Sequence, residues 1–278
     1  MLVDSNLPVD RDRLKNRLIR LVKEDEEILG CFFSGSIGTQ TEDYYSDIDA
    51  RIIVKNGLNL KRKQVEIIRA IGKYLFIEEL TEDSSIIHYA TFVKLDLFIY
   101  TVDKLEPSIW MKKINIVKDF GLLEELSTKS QQLSYEVTQE TFDQLLHSYY
   151  AQYFELYRCW KREEYNYLEN LTLEMKHTLV SMWYISKGHA PNPSNDWAKY
   201  GGRKTKLSHL EVEFLESYTP CLVEQLEEFT KKIELLMFEV AEKVATYNSL
   251  SFSQTTFRKV HRRISFDVSE GRTIEKRR

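Results

Sequence analysis

The chain has 278 residues, 42% hydrophobic and 29% charged, with few Gly or Pro, which excludes a disordered or fibrous chain and is long enough to bury a core without disulfides or metals. Three cysteines, Cys31, Cys159 and Cys221, lack CxxC spacing, and no segment approaches a membrane span, so a disulfide framework, a zinc site and membrane insertion are disfavoured and a reducing cytoplasm is expected. The formal net charge is −4, but residues 258–278 contribute +5 and the remainder −9, so nucleic acid is disfavoured as a partner and a cationic small molecule suits the chain better.

Leu14, Leu18, Leu21 and Val22 recur at helical spacing and predict an amphipathic helix over residues 10–27. The apolar run 28–33 predicts a buried strand stopped by the turn residues Ser34-Gly35-Ser36. Over residues 47–54, Ile48, Ala50, Ile52 and Val54 alternate with Asp47, Asp49, Arg51 and Ile53, the period of a strand with one apolar and one mostly charged face. A helix over 60–74 and strands over 75–80, 86–93 and 95–102 follow, which makes the first half mixed α/β. Beyond residue 136, Phe142, Leu146, Tyr149, Tyr153, Leu156 and Trp160 keep helical spacing, as do Leu168, Leu171, Met175, Leu179 and Met182. Gly188 is a candidate helix end, Pro220 a candidate helix start, and the basic segment after Phe257 a candidate loose tail. Gly201-Gly202-Arg203-Lys204 lacks the spacing of a phosphate loop.

Chemistry concentrates in the pair Gly35-Ser36, ten intervening residues, and then Asp47-Ile48-Asp49 entering the strand. A spacing of two on a strand puts both carboxylates on one face, roughly 6.5 Å apart at Cα, close enough to share a hard divalent cation. Gly35 suits a close approach of backbone to an anion such as phosphate, and Ser36 offers a hydroxyl and an N–H. A third acid, Asp96, stands isolated among alternating apolar residues, as a metal ligand or general base would. Arg51 shares the charged face and is a candidate phosphate contact, with a salt bridge to a neighbouring acid as the structural alternative. For His88 a structural role outweighs proton transfer.

This pattern, G-S-x(7–13)-D-h-D, resembles the DNA-polymerase-β-like nucleotidyltransferase superfamily. Followed by a helical second half, it is similar to the bacterial adenylyltransferases that modify aminoglycosides or lincosamides. The resemblance implies an α+β fold, with a small mixed-sheet nucleotidyltransferase domain over 1–130, an all-α helical-bundle domain binding the acceptor over 131–257, and a basic tail over 258–278. It also implies Asp47, Asp49 and Asp96 as Mg2+ ligands and catalytic acids, Gly35 and Ser36 as nucleotide-binding residues, and ATP as co-substrate; Arg51, the further candidate nucleotide contact, departs from the apolar or neutral residue commoner in the family's strand. The nucleotide is expected in the cleft between the domains. The expected reaction is transfer of AMP to a hydroxyl of a small, cationic acceptor. Alternatives are modification of a protein or RNA, as in toxin–antitoxin pairs, or a catalytically silent nucleotide-binding module. The tyrosines of the second half, interleaved with Glu155, Glu163, Glu164, Glu169 and Glu174, are expected mainly as helix core, with some suited to a polycationic sugar.

Overall fold

The computed structural model describes residues 6–266, and the chain divides into two compact units with the boundary between Leu133 and Ser134. The first unit runs α1 (Leu7–Glu24), β1 (Ile28–Phe33), α2 (Gly35–Thr39), β2 (Ile48–Val54), α3 (Leu60–Ile71), β3 (Tyr74–Leu80), β4 (Ser84–Tyr89), β5 (Lys94–Thr101), β6 (Asn115–Lys118) and α4 (Leu123–Gln131). Among the described residues the strands form a six-stranded sheet in the order β3-β4-β5-β2-β1-β6. The central pair β2 and β5 is parallel and the other neighbours are antiparallel.

Alternation along β2 decides what each face does. Ile48, Ala50, Ile52 and Val54 join Leu95, Leu97 and Ile99 of β5 in a core closed by Leu14, Leu18 and Val22 of α1 and Ile67, Ile68 and Ile71 of α3. Each fully buried isoleucine there stabilises the fold by about 1.5–3 kcal/mol. On the opposite face Phe32 and Ile53 pack with Met111, Leu123 and Leu126. That smaller cluster covers the β1 side of the face and does not include the acidic positions of β2 and β5.

Several boundaries differ from the sequence expectations. Helix α1 starts at Leu7, with a proline in its first turn, and ends at Glu24. There the side chain of Asp25 turns to Lys63, 2.7 Å away, instead of continuing the helix. Helix α3 is capped by Asn59, which accepts from the Arg62 N–H at 2.8 Å, and stops at Ile71. Strand β4 ends at Tyr89, because Phe92 adopts a left-handed conformation and its N–H closes a turn on the Tyr89 carbonyl at 3.0 Å. Strand β6 and helix α4 had no counterpart in the sequence reading.

The second unit is helical: α5 (Gln139–Lys161), α6 (Tyr165–Ser186), α7 (His209–Ser217), α8 (Leu226–Tyr247) and α9 (Gln254–His261). Tyr149, Tyr153, Trp160, Trp183 and Tyr184 are buried in its core, with Phe229, Ile233 and Met237 of α8. Gly188 ends α6 with φ +73°, and the N–H of His189 reaches back to the Tyr184 carbonyl at 2.9 Å, the bond pattern of a glycine-terminated helix. Pro220 does not open a helix; a short turn over Val223–Gln225 leads into α8 at Leu226. Residues 258–266 are not a loose tail, since α9 and the segment after it bury Phe257, His261 and Phe266 in the core. Residues 267–278 lie outside the described residues. All three cysteines are free and buried, and no helix among the described residues is long and apolar enough to cross a membrane.

Candidate active site

The end of β1 makes the first half of the site. The Ser34 N–H donates to the Asp49 carbonyl at 3.0 Å, which extends the β1–β2 ladder by one residue. The chain then reverses into α2 through Gly35 at φ +58°. A Cβ on Gly35 would lie 1.8 Å from Asp49 Oδ2 and 2.7 Å from its Cγ, so only glycine lets the backbone lie against that carboxylate. Ser36 follows in α2, and its carbonyl accepts from the Thr41 N–H at 2.9 Å.

The loop from Thr41 to Ser46 delivers Asp47 and is held from outside the motif. Arg11 of α1 is 6% exposed, and its guanidinium donates to the carbonyls of Asp43 at 2.8 Å and Ser46 at 2.9 Å, with a longer bond of 3.4 Å to Tyr44. Within the loop, Asp43 Oδ1 accepts from the Ser46 hydroxyl at 2.9 Å and the Tyr45 N–H at 3.1 Å. Asp47 therefore precedes β2 rather than opening it, as the sequence had implied, and its backbone comes from a clamped turn.

The parallel pairing of β2 with β5 supplies the second half. Asp49 and Asp96 are register partners, which puts them side by side on adjacent strands about 4.8 Å apart. Lys94, two residues before Asp96 and so on the same face, places Nζ 2.9 Å from Asp47 Oδ2 and 3.0 Å from Asp96 Oδ2. Burial raises the Asp96 pKa and the charge of Asp47 adds to that, while Lys94 and Arg51 oppose it. Burial alone would lower the Lys94 pKa, but its hydrogen bonds and charge pairing with Asp47 and Asp96 outweigh this and leave the ammonium more firmly protonated than usual. Asp96 Oδ1 is buried with no hydrogen-bond partner among the described residues.

Arg51 lies one step further along the same face. Its guanidinium carbon sits 3.7 Å from the Phe98 ring centroid. Burial lowers its pKa, against the charges of Tyr100, Asp49 and Asp96. Its Nη1 is buried without a hydrogen-bond partner among the described residues. The residue borders a cleft of about 410 Å³ shared with Ser34, Tyr100, Lys104, Glu106 and Trp110. His88 is occupied elsewhere, stacked on Phe76 with ring centroids 4.5 Å apart and with Nε2 2.7 Å from Glu78.

Gly35, Asp47, Asp49, Arg51 and Asp96 thus gather at one end of the central strands. The sequence reading missed Lys94 and Arg11. Lys94 carried a readable signal, the same spacing of two that pairs Asp47 with Asp49. Arg11 carried a subtler one, a charged residue on the apolar stripe of α1 between Leu7 and Leu14.

An antiparallel-edged sheet with a glycine turn against paired strand carboxylates is the frame of a nucleotidyltransferase. The family model described as streptomycin adenylyltransferase matches residues 10–265. The chain belongs to that family and is an enzyme of the nucleotidyltransferase class. None of the curated proteins matches it. Among solved structures, an aminoglycoside 6-adenyltransferase from Bacillus subtilis is 16% identical, with 90% of this chain and 98% of that chain covered and a TM-score of 0.40.

Proposed function

We propose that the chain transfers AMP from ATP to a hydroxyl of a small, cationic acceptor of the aminoglycoside or lincosamide antibiotic class, which would make it a resistance enzyme of the reducing cytoplasm. The observation that carries this reading is the register pairing of Asp49 with Asp96, with the Gly35 backbone packed on the Asp49 carboxylate.

The donor chemistry fits Mg2+. Asp47, Asp49 and Asp96 offer only hard oxygens, and the orphaned Asp96 Oδ1 is a buried acceptor in need of a cation. Among the described residues no three acidic, histidine or cysteine side chains converge as a metal cage, and the Lys94 ammonium lies 2.9 Å from Asp47 Oδ2 and 3.0 Å from Asp96 Oδ2. Bound Mg2+ would neutralise the triphosphate, ease departure of pyrophosphate and lower the pKa of the attacking hydroxyl. Asp47, Asp49 and Asp96 would hold it.

Gly35 leaves room for backbone beside phosphate, Ser36 serves the β- and γ-phosphates, and Arg51 adds a fixed positive charge. The acceptor oxygen forms a bond to the α-phosphorus as the bond from that phosphorus to the bridging oxygen breaks, with inversion and loss of pyrophosphate. Asp96 takes the hydroxyl proton, a role that the raised pKa of its carboxyl supports. We assign catalysis to the sheet-bearing unit and acceptor recognition to the helical unit. There Tyr165 and Tyr167 remain exposed beside Glu163, Glu164 and Arg162, with Arg162 Nη1 3.9 Å from Glu164 Oε2, and the tyrosine faces and the Glu163 carboxylate suit a hydroxylated cation.

Pyrophosphate release with ATP and Mg2+ across streptomycin, other aminoglycosides and lincosamides, for wild type and Asp49→Asn, tests the proposal. Turnover with one acceptor, lost in the variant, is expected. Turnover that survives Asp49→Asn sinks the site assignment, and release only with protein or RNA acceptors sinks the small-molecule reading.

A further inference from the structure

Lys94 stands where the acid cluster needs a positive charge. Its Nζ lies within 3.0 Å of one oxygen each from Asp47 and Asp96, so those two oxygens are at most about 6 Å apart. Asp49 adds a third carboxylate beside Asp96. The Asp47 and Asp96 carboxylates repel one another on this partly buried face, because little water intervenes to screen them. The Lys94 side chain is 35% exposed while that of Asp96 is 19% exposed. The lysine is anchored on the strand and carries its ammonium on a flexible stem that is partly exposed.

An ordinary surface ion pair would contribute little and would bridge a single acid. This ammonium bridges the two acids that flank the site, and it is held there by both. An ammonium and a divalent cation cannot occupy the same point between the same two oxygens. We propose that Lys94 is a tethered counter-cation that holds the acid cluster together in the nucleotide-free enzyme and must leave Asp47 and Asp96 before a divalent cation enters. Lys94 then sets the cation concentration at which the metal site assembles. The proposal rests on the reading that these acids take the metal.

Mn2+ is the probe, added to the full chain without nucleotide. Calorimetric titration of wild type, Lys94→Met, Lys94→Arg and Asp49→Asn gives the first readout. Lys94→Met is expected to bind Mn2+ at least about tenfold more tightly than wild type, a difference of about 1.4 kcal/mol, and Lys94→Arg is expected to bind no more tightly than wild type. Thermal unfolding gives the second: in EDTA the Lys94→Met midpoint should fall below that of wild type and recover on adding Mn2+, whereas loss of a purely structural lysine would not be recovered by metal. The third uses wild type alone and is independent of whether the variant folds. Acetylation of Lys94 by a small amine reagent, followed by mass spectrometry, should speed up several-fold when Mn2+ is added.

Equal Mn2+ affinity in wild type and Lys94→Met, with binding lost in Asp49→Asn, overturns the displacement proposal and leaves the acids as metal ligands. An acetylation rate that is unchanged or slower with Mn2+ likewise overturns it. Absence of Mn2+ binding in every protein overturns it together with the metal reading of the acids.

Discussion

Replacing Gly35 with alanine tests whether the Asp49 carboxylate must lie against bare backbone. The new methyl would sit 1.8 Å from Asp49 Oδ2, and ordinary van der Waals contact begins at 3.4 Å, so the carboxylate must retreat by about 1.6 Å or the turn must open. The backbone adds its own cost: φ +58° is a left-handed conformation that disfavours an L-residue by about 1–2 kcal/mol. A displacement of about 1 Å in a catalytic group costs roughly a hundredfold in rate. We expect kcat/KM for pyrophosphate release to fall at least about a hundredfold, near 2.7 kcal/mol of transition-state stabilisation, and unfolding stability in urea to fall by about 1–2 kcal/mol. Gly188→Ala is the control. Its φ of +73° imposes similar strain, yet nothing lies within 4 Å of its Cβ position, so stability should drop comparably while activity holds. A Gly35→Ala enzyme with kcat/KM within about threefold of wild type would refute the packing account, as would equal activity losses at both glycines.

Arg11→Met removes the clamp on the loop before Asp47. Each hydrogen bond from a charged donor is worth about 1.5–3 kcal/mol, so loss of the two short ones at 2.8 and 2.9 Å should lower stability by about 3 kcal/mol in denaturant titration and also raise the KM for ATP with Mg2+. Unchanged kinetics in a folded variant would show that Arg11 supports the fold and not the loop's aim. His261 is buried, with Nδ1–H donating to the Phe257 carbonyl at 2.9 Å and Nε2 accepting from the Tyr149 hydroxyl at 3.0 Å, and burial lowers its pKa to about 4. Its unfolded-state pKa is near 6.5. Between those values only the unfolded chain takes up the proton, so stability falls as pH drops through this window, by roughly 3 kcal/mol in total, and is unaffected above it. Urea midpoints at pH 7.5 and 4.5 should differ more in wild type than in His261→Gln; equal pH slopes would contradict this.

Much of the sheet-bearing unit was legible because its signals are local. The period of two along residues 47–54 separates the core face from the acidic face, and the glycine-serine turn with its ten-residue spacing to Asp47 marks the superfamily. The isolation of Asp96 among apolar neighbours singled it out. Strand β6 escaped notice because Asn115-Ile116-Val117-Lys118 is only four residues long, and its place is decided by pairing with β1 rather than by its own pattern. The start of the tail, residues 258–266, was misread for a similar reason: its charge suggested a solvated segment, yet His261 and Phe266 find their partners on α5, more than a hundred residues earlier.

By itself, the sequence determined which side chains face the same way on a given strand, where the chain turns at Gly35, and hence the class of chemistry. The tertiary structure decided that Asp49 stands beside Asp96, that Lys94 bridges Asp47 to Asp96, and that Arg11 holds the loop between the two motif halves. Those relations depend on the parallel register of strands separated by two intervening strands and a helix, and on a helix laid across the loop. Side-chain periodicity is a property of neighbouring residues, whereas register and packing are settled only when distant segments bury their apolar faces together.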